Sequence, residues 1–145
     1  MLISSKGRYA LRLMVALAQT ADGTDAVALR RVSASEGISL KYLEQLAHSL
    51  VGAGLLSSTR GREGGYAFAR PAADITAGDV IRAVEGAAPA VSCSALEEGC
   101  PRESICSVAD FWAGLDDAID AYVDGITLAD LVGDDVNRRP FQTLS

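Results

Sequence analysis

The sequence predicts a mainly α chain with one small two-stranded β element and a long helix towards the C-terminal end, on three observations. Leu40, Leu43, Leu46, Ala47 and Leu50 recur at three- and four-residue spacing, the period of a helix with one buried face. Leu55–Thr59 and Tyr66–Arg70 are short strand-like runs. They are joined by Arg60, Gly61, Arg62, Glu63, Gly64 and Gly65, a hairpin tip in which glycines supply positive φ. Ile105, Val108, Trp112, Leu115, Ile119 and Tyr122 are spaced 3, 4, 3, 4 and 3 residues apart, a narrow seam of the coiled-coil kind.

The elements follow in order. Ser4 or Ser5 caps a first helix running to about Ala21, with Tyr9, Leu13, Met14, Leu17 and Ala18 on its apolar stripe. Its first turns carry Lys6, Arg8 and Arg12, which either hold DNA phosphates or are solvated charges. Val27–Ser35, with Ala28, Leu29, Val32 and Ala34 apolar, reads as the first helix of a helix-turn-helix whose turn is Glu36, Gly37 and Ile38. Ser39 caps the second helix, Ser39–Val51, and Gly52 and Gly54 end it. Lys41, Glu44, Gln45, His48 and Ser49 look outward from it. Followed by the hairpin, this is a winged helix-turn-helix. The helix fits a DNA major groove, and the Arg-bearing tip is thin enough for the minor groove. Double-stranded DNA is therefore the expected partner.

Pro71–Asp74 is a connector, and Thr76 with Asp79 opens a further helix buried through Ile75, Val80, Ile81 and Val84. Gly86 to Ala90 ends it. A loop leads to the long helix, Ser104–Asp124, which keeps Asp110, Asp116, Asp117, Asp120 and Asp124 on faces away from the seam. That seam packs either on its own domain or on its twin in a second chain. We favour the twin, because symmetric dimers are the common way to read two half-sites. Thr127 and Asp130 start a short closing helix, Thr127–Val132, and Gly133–Ser145 reads as a polar, mobile tail. The expected organisation is a DNA-binding domain over 1–85, a cysteine-containing sensor loop over 86–106, a dimerisation helix with its closing helix over 104–132, and the tail over 133–145.

The 145 residues are enough for one domain of ordinary size, and 49% apolar content is enough for a core. A net charge of −6 conceals an asymmetry. Residues 1–71 carry nine Lys/Arg against five Asp/Glu, a net of +4, and the remainder carries −10. A basic half can face phosphates while the acidic half is held away from them. The N-terminal stretch interleaves Lys6, Arg8 and Arg12 with apolar residues and has no small-residue cleavage site, which argues against a signal peptide or a membrane span and for a cytoplasmic protein. An enzyme or electron carrier is disfavoured. No nucleophile–base pair or cofactor fingerprint occurs, and Gly61–Gly65 lies between two strands, where a nucleotide loop needs a strand and a helix.

Cys93, Cys100 and Cys106 lie in one stretch with six and then five residues between them. The odd count and the missing C-x2-C spacing disfavour a disulfide framework and a zinc knuckle. Three thiolates on a loop that ends at a helix start suit an iron-sulfur cluster, the alternative being buried or redox-sensitive thiols.

SSKGRYAL at Ser4–Leu11, GISLKYLEQL at Gly37–Leu46, GLLSSTRG at Gly54–Gly61, GGY at Gly64–Tyr66, ITLADLV at Ile126–Val132, and the three-cysteine loop followed by Trp112 together resemble hallmark segments of the Rrf-two bacterial transcription regulators. They resemble the iron-sulfur cluster regulator (IscR-like) branch in particular. The resemblance implies a homodimer of winged helix-turn-helix domains joined by crossed long helices. It places Ser39, Lys41, Tyr42, Glu44 and Gln45 on the recognition helix, with Glu44 accepting from a cytosine amino group and Gln45 pairing with adenine. Arg60 would read the minor groove from the wing, while Arg62 and Glu63 stand where proline and glycine often occur, Arg62 adding a phosphate contact and Glu63 weakening one. Lys6 and Tyr9 would add contacts from the first helix. A 2Fe-2S or 4Fe-4S cluster would sit on Cys93, Cys100 and Cys106 with an unknown fourth ligand. The family's usual candidates are absent, because the histidine position is Ala109 and the acidic position of the nitric-oxide-sensing branch is Arg8. Asp110, Glu103, Glu98 and Glu97 are nearby oxygen donors, and His48 faces solvent or phosphate. Cluster-dependent control of iron-sulfur assembly genes is the function implied. The alternative is a metal-independent repressor of cysteine or sulfur metabolism under thiol or partner-protein control.

Overall fold

The computed structural model describes residues 3–21, 25–89 and 100–133. Helices α1 (Ser5–Ala21), α2 (Leu29–Glu36) and α3 (Leu40–Gly52) precede an antiparallel hairpin of β1 (Leu56–Thr59) and β2 (Gly65–Phe68). A 3-10 turn (Ala72–Asp74) leads to α4 (Ala77–Glu85), a second (Glu103–Ile105) precedes α5 (Ala109–Asp124), and α6 (Leu128–Val132) closes the chain. The hairpin pairs Leu56 with Phe68 and Thr59 with Gly65. Both strands are shorter than their apolar runs, and Ala69 and Arg70 fall outside β2. The core joins Leu13, Met14 and Leu17 of α1 to Leu43 and Leu50 of α3, with Leu55, Ile75, Val80 and Leu128 around them.

Most local signals operate as read. Ser39 Oγ accepts from the Tyr42 N–H at 3.2 Å and caps α3. Gly37, at φ 67°, turns the chain between α2 and α3, and Ser33 Oγ closes that turn by donating to the Ile38 carbonyl at 2.7 Å. Thr76 with Asp79 and Thr127 with Asp130 form two full capping boxes. These two helix starts also pair with each other through an antiparallel bridge, Thr76 to Thr127. The bridge docks α6 so that Leu128 is fully buried.

The start of α1 is held from outside its own helix. Glu85 Oε1 accepts from Ser4 N–H at 2.7 Å, Ser4 Oγ–H at 2.6 Å and Gly7 N–H at 2.9 Å. A carboxylate from the end of α4 thus satisfies donors that the helix leaves unpaired. Burial pushes the Glu85 pKa up, but the hydrogen bonds from Ser4 and Gly7 and the charge of Lys6 outweigh it, leaving the carboxyl below its ordinary value. A depressed acid stabilises the fold above its unfolded pKa, and that contribution is lost as pH falls through the folded value. Thermal melts of wild type and Glu85→Gln should therefore differ most at neutral pH and converge on acidification below about pH 4. A constant difference across that range would exclude the carboxylate as the source.

One expectation is corrected. The long helix begins at Ala109, not Ser104, with Cys106 in extended backbone (φ −78°, ψ 121°). Ile105 is therefore off the seam and 71% exposed. Short helical segments need tertiary packing to persist, and among the described residues none covers Ile105 or Val108, while Ser107 and Cys106 are poor helix formers. Asp116, one of the aspartates away from the seam, is buried. Ala34 is exposed, and Leu29 and Val32 anchor α2. Residues 134–145 of the expected tail lie outside the described residues.

Candidate nucleic-acid interface and cysteine site

Helix α3 buries Leu43, Leu46, Ala47 and Leu50. Its opposite face carries Ser39, Lys41, Glu44, Gln45 and His48, all exposed. Tyr42 is half-buried and packs edge-on against Tyr9 of α1, with ring centroids 5.7 Å apart and planes at 87°. The two tyrosines read from separate motifs are thus one cluster, which braces the recognition helix against α1. Arg12 joins it. Its guanidinium carbon lies 5.5 Å from the Tyr9 ring centroid, and its nitrogens bind Glu36 Oε2 at 3.0 and 3.1 Å. Of the three basic residues at the start of α1, Arg12 is therefore committed within the fold, whereas Lys6 and Arg8 stay exposed.

Arg60 and Arg62 are exposed at the hairpin tip and form no ion pair with another described residue, as do Lys41 and Glu44 on α3. The hairpin root is fixed by a contact absent from the sequence reading. Tyr66 N–H donates to the Val27 carbonyl and Val27 N–H to the Tyr66 carbonyl, both at 2.9 Å. Val27 acts as a third-strand residue alongside β2. A Cβ at Gly65 would collide with the Val27 carbonyl, so glycine is needed there for close approach rather than only for the turn. Between hairpin and α3 lies an open groove of about 230 Å³ lined by Arg30, Leu40, Glu44, Gly64, Gly65 and Tyr66, among others. Arg30, exposed beside this groove, is not among the expected site residues. Its only sequence signal was a basic position near the start of the first helix of the motif.

Cys100 and Cys106 are partly exposed free thiols on either side of the Glu103–Ile105 turn. Cys93 lies outside the described residues, as do Glu97 and Glu98. Asp110 is exposed in the first turn of α5. Among the described residues no three His, Cys, Asp or Glu side chains gather as a metal site. The donor chemistry nevertheless fits an iron-sulfur cluster, because soft thiols that are accessible and free of disulfides are what such a cluster requires.

Helix α5 is anchored at one end. Val123 packs with Ala77 and Ile81 of α4, whereas Trp112 and Leu115 are 37% exposed, Phe111 63% and Tyr122 65%. Among the described residues no helix is long and apolar enough to cross a membrane.

The family model Rrf2, an iron-dependent transcriptional regulator, matches residues 3–134. The HTH-type transcriptional regulator IscR of Yersinia pestis is 41% identical over 133 residues, covering 91% of this chain and 79% of the relative. Its namesake from Enterobacter sp. (strain 638) is 39% identical over 132 residues, covering 91% and 80%. Among solved structures, T. potens IscR superposes with TM-score 0.72 at 34% identity, covering 98% of this chain and 93% of that one. CymR (YrzC), the global cysteine regulator of B. subtilis, superposes with TM-score 0.72 at 37% identity, covering 91% and 96%. The winged-helix architecture and the absence of an enzyme's role follow from these likenesses together with the hairpin and recognition helix. The chain belongs to the Rrf2 family of DNA-binding transcription regulators.

Proposed function

We propose that the protein is a cytoplasmic homodimeric regulator of the IscR type, which reads operator DNA with α3 and the wing and adjusts its affinity through a cluster held by Cys93, Cys100 and Cys106. The observation that carries this reading is the position of the free thiols Cys100 and Cys106, immediately ahead of a helix whose apolar seam is uncovered. A bound iron-sulfur cluster, 2Fe-2S or 4Fe-4S, supplies a centre sensitive to oxygen, nitric oxide and iron supply.

The chain's own residues do the rest. Gln45 and Glu44 meet base edges, Ser39, Lys41 and Lys6 meet phosphates, Tyr9 and Tyr42 set the height of the recognition helix, and Arg60 and Arg62 enter or flank the minor groove. Val108, Trp112, Leu115, Ile119 and Tyr122 pack against their twins. Holding Cys100 and Cys106 at one point restrains the chain on both sides of the Glu103–Ile105 turn, and with it the start of α5. A coupling of about 1–3 kcal/mol between that restraint and the dimer geometry changes DNA affinity about 5- to 150-fold. Promoters of iron-sulfur assembly genes are the targets that the family resemblance implies.

A second reading is favoured by the likeness to the cysteine regulator CymR and by Ala109 standing where a histidine ligand is usual. It is a metal-independent repressor of cysteine or sulfur metabolism. Anaerobic purification with visible spectroscopy and iron and sulfide analysis separates the two. The first reading expects broad absorbance over roughly 300–600 nm that is lost in Cys100→Ala. A colourless, iron-free wild type that still binds a specific promoter would establish the second.

A further inference from the structure

The C-terminal end of α5 is attached to α4 by contacts of three different kinds. Two backbone hydrogen bonds flank the Thr76–Thr127 bridge, from Ala77 N–H to the Ile126 carbonyl at 2.8 Å and from Leu128 N–H to the Ile75 carbonyl at 2.9 Å. Val123 supplies an apolar contact with Ala77 and Ile81. Asp124, the last residue of α5, receives both terminal nitrogens of Arg82. Nη2 donates to Oδ1, and Nη1 to Oδ2 at 3.4 Å. Asp79 lies 3.8 Å from Arg82 and also 3.8 Å from Arg70, the second residue after β2. Gly78 lies under the pair, where an added Cβ would collide with Asp124 Oδ1.

These contacts constrain different motions. The bridge lies beyond the end of α5 and acts as a pivot, and an apolar contact has little directionality. The two-pronged Arg82–Asp124 pair is directional and sits on α5 itself. From Ala109 to Asp124 the helix has 16 residues, an arm of about 24 Å. A rotation of about 10° at its base moves the far end by about 4 Å, close to the rise of about 3.4 Å per base pair.

We propose that the Arg82–Asp124 pair, seated over Gly78, sets the angle at which α5 leaves the DNA-binding domain and thereby the half-site spacing the dimer accepts. This rests on the homodimer reading above. Arg82 and Asp124 are positioning residues that touch no DNA. With side chains 30% and 44% exposed, the pair contributes little to stability, and its consequence is orientation.

The test uses a duplex selected by the wild-type protein from a randomised pool, then rebuilt with one base pair added or removed between its half-sites. The wild type should prefer the parent spacing by about tenfold or more. Asp124→Asn and Arg82→Gln should flatten that preference about fivefold or more while light scattering still reports a dimer. Gly78→Ala, which pushes on Asp124 without removing a charge, should do the same. An unchanged preference in Asp124→Asn and Arg82→Gln, with dimers intact, overturns the proposal whether or not Gly78→Ala folds, and so does a wild type indifferent to spacing. A wild type that is monomeric while binding specifically overturns the dimer reading and this proposal with it, and light scattering alone identifies that case.

Discussion

Leu115→Asp is expected to convert a dimer into a monomer and to lower specific DNA affinity by about 10²-fold or more. Leu115 sits at the middle of the seam, between Trp112 and Ile119, and more than a third of its surface is uncovered within one chain. Fully burying a leucine contributes about 1.5–3 kcal/mol, so covering the third that Leu115 leaves exposed contributes about 0.5–1 kcal/mol, twice over in a symmetric pair. An aspartate there meets its own twin, so two like charges would have to be desolvated together. The loss on DNA follows because one bound half-site no longer holds the other domain at high effective concentration. Leu115 lies outside the monomer's core, so circular dichroism should stay unchanged. Sedimentation velocity reads the oligomeric state, and a persistent dimer would show that the seam is not the interface.

Gln45→Ala and Arg60→Ala should each weaken specific binding by about 1–3 kcal/mol, or about 5- to 150-fold, while leaving thermal stability in place because both side chains are exposed. The two losses should differ in kind. On the proposed reading Gln45 meets a base edge, so its removal should relax sequence preference at one position. Arg60, on the wing, should change preference for minor-groove width and reduce the salt dependence of binding. Titration of labelled operator and mismatched duplexes at two salt concentrations checks both. Equal affinity of the Gln45→Ala protein for operator would remove that residue from the interface.

The recognition helix and wing were legible because their signals are local. A cap at Ser39, a left-handed turn at Gly37 and a glycine-rich tip at 61–65 act within a few residues, and the 3.6-residue period of Leu43, Leu46 and Leu50 needs no knowledge of what covers them. The fates of Arg12 and Glu85 were not legible. Nothing near Arg12 in the chain announces Glu36, 24 residues away, and nothing near Ser4 announces Glu85, 81 residues away. The same applies to Gly65, whose constraint is the backbone of Val27 and not the hairpin it belongs to.

By itself, then, the sequence determined the order and type of the elements, the caps that start α3, α4 and α6, the outward residues of the recognition helix and the family they belong to. Each depends on backbone preference or hydrophobic period over a single turn or strand. Only the tertiary structure decided where α5 begins, which basic residues stay free, how the wing root is pinned and how the base of α5 is fixed to α4. Those outcomes depend on which surfaces find cover and which charges find a partner across long stretches of chain, and a helical period can specify an apolar stripe without specifying what packs on it.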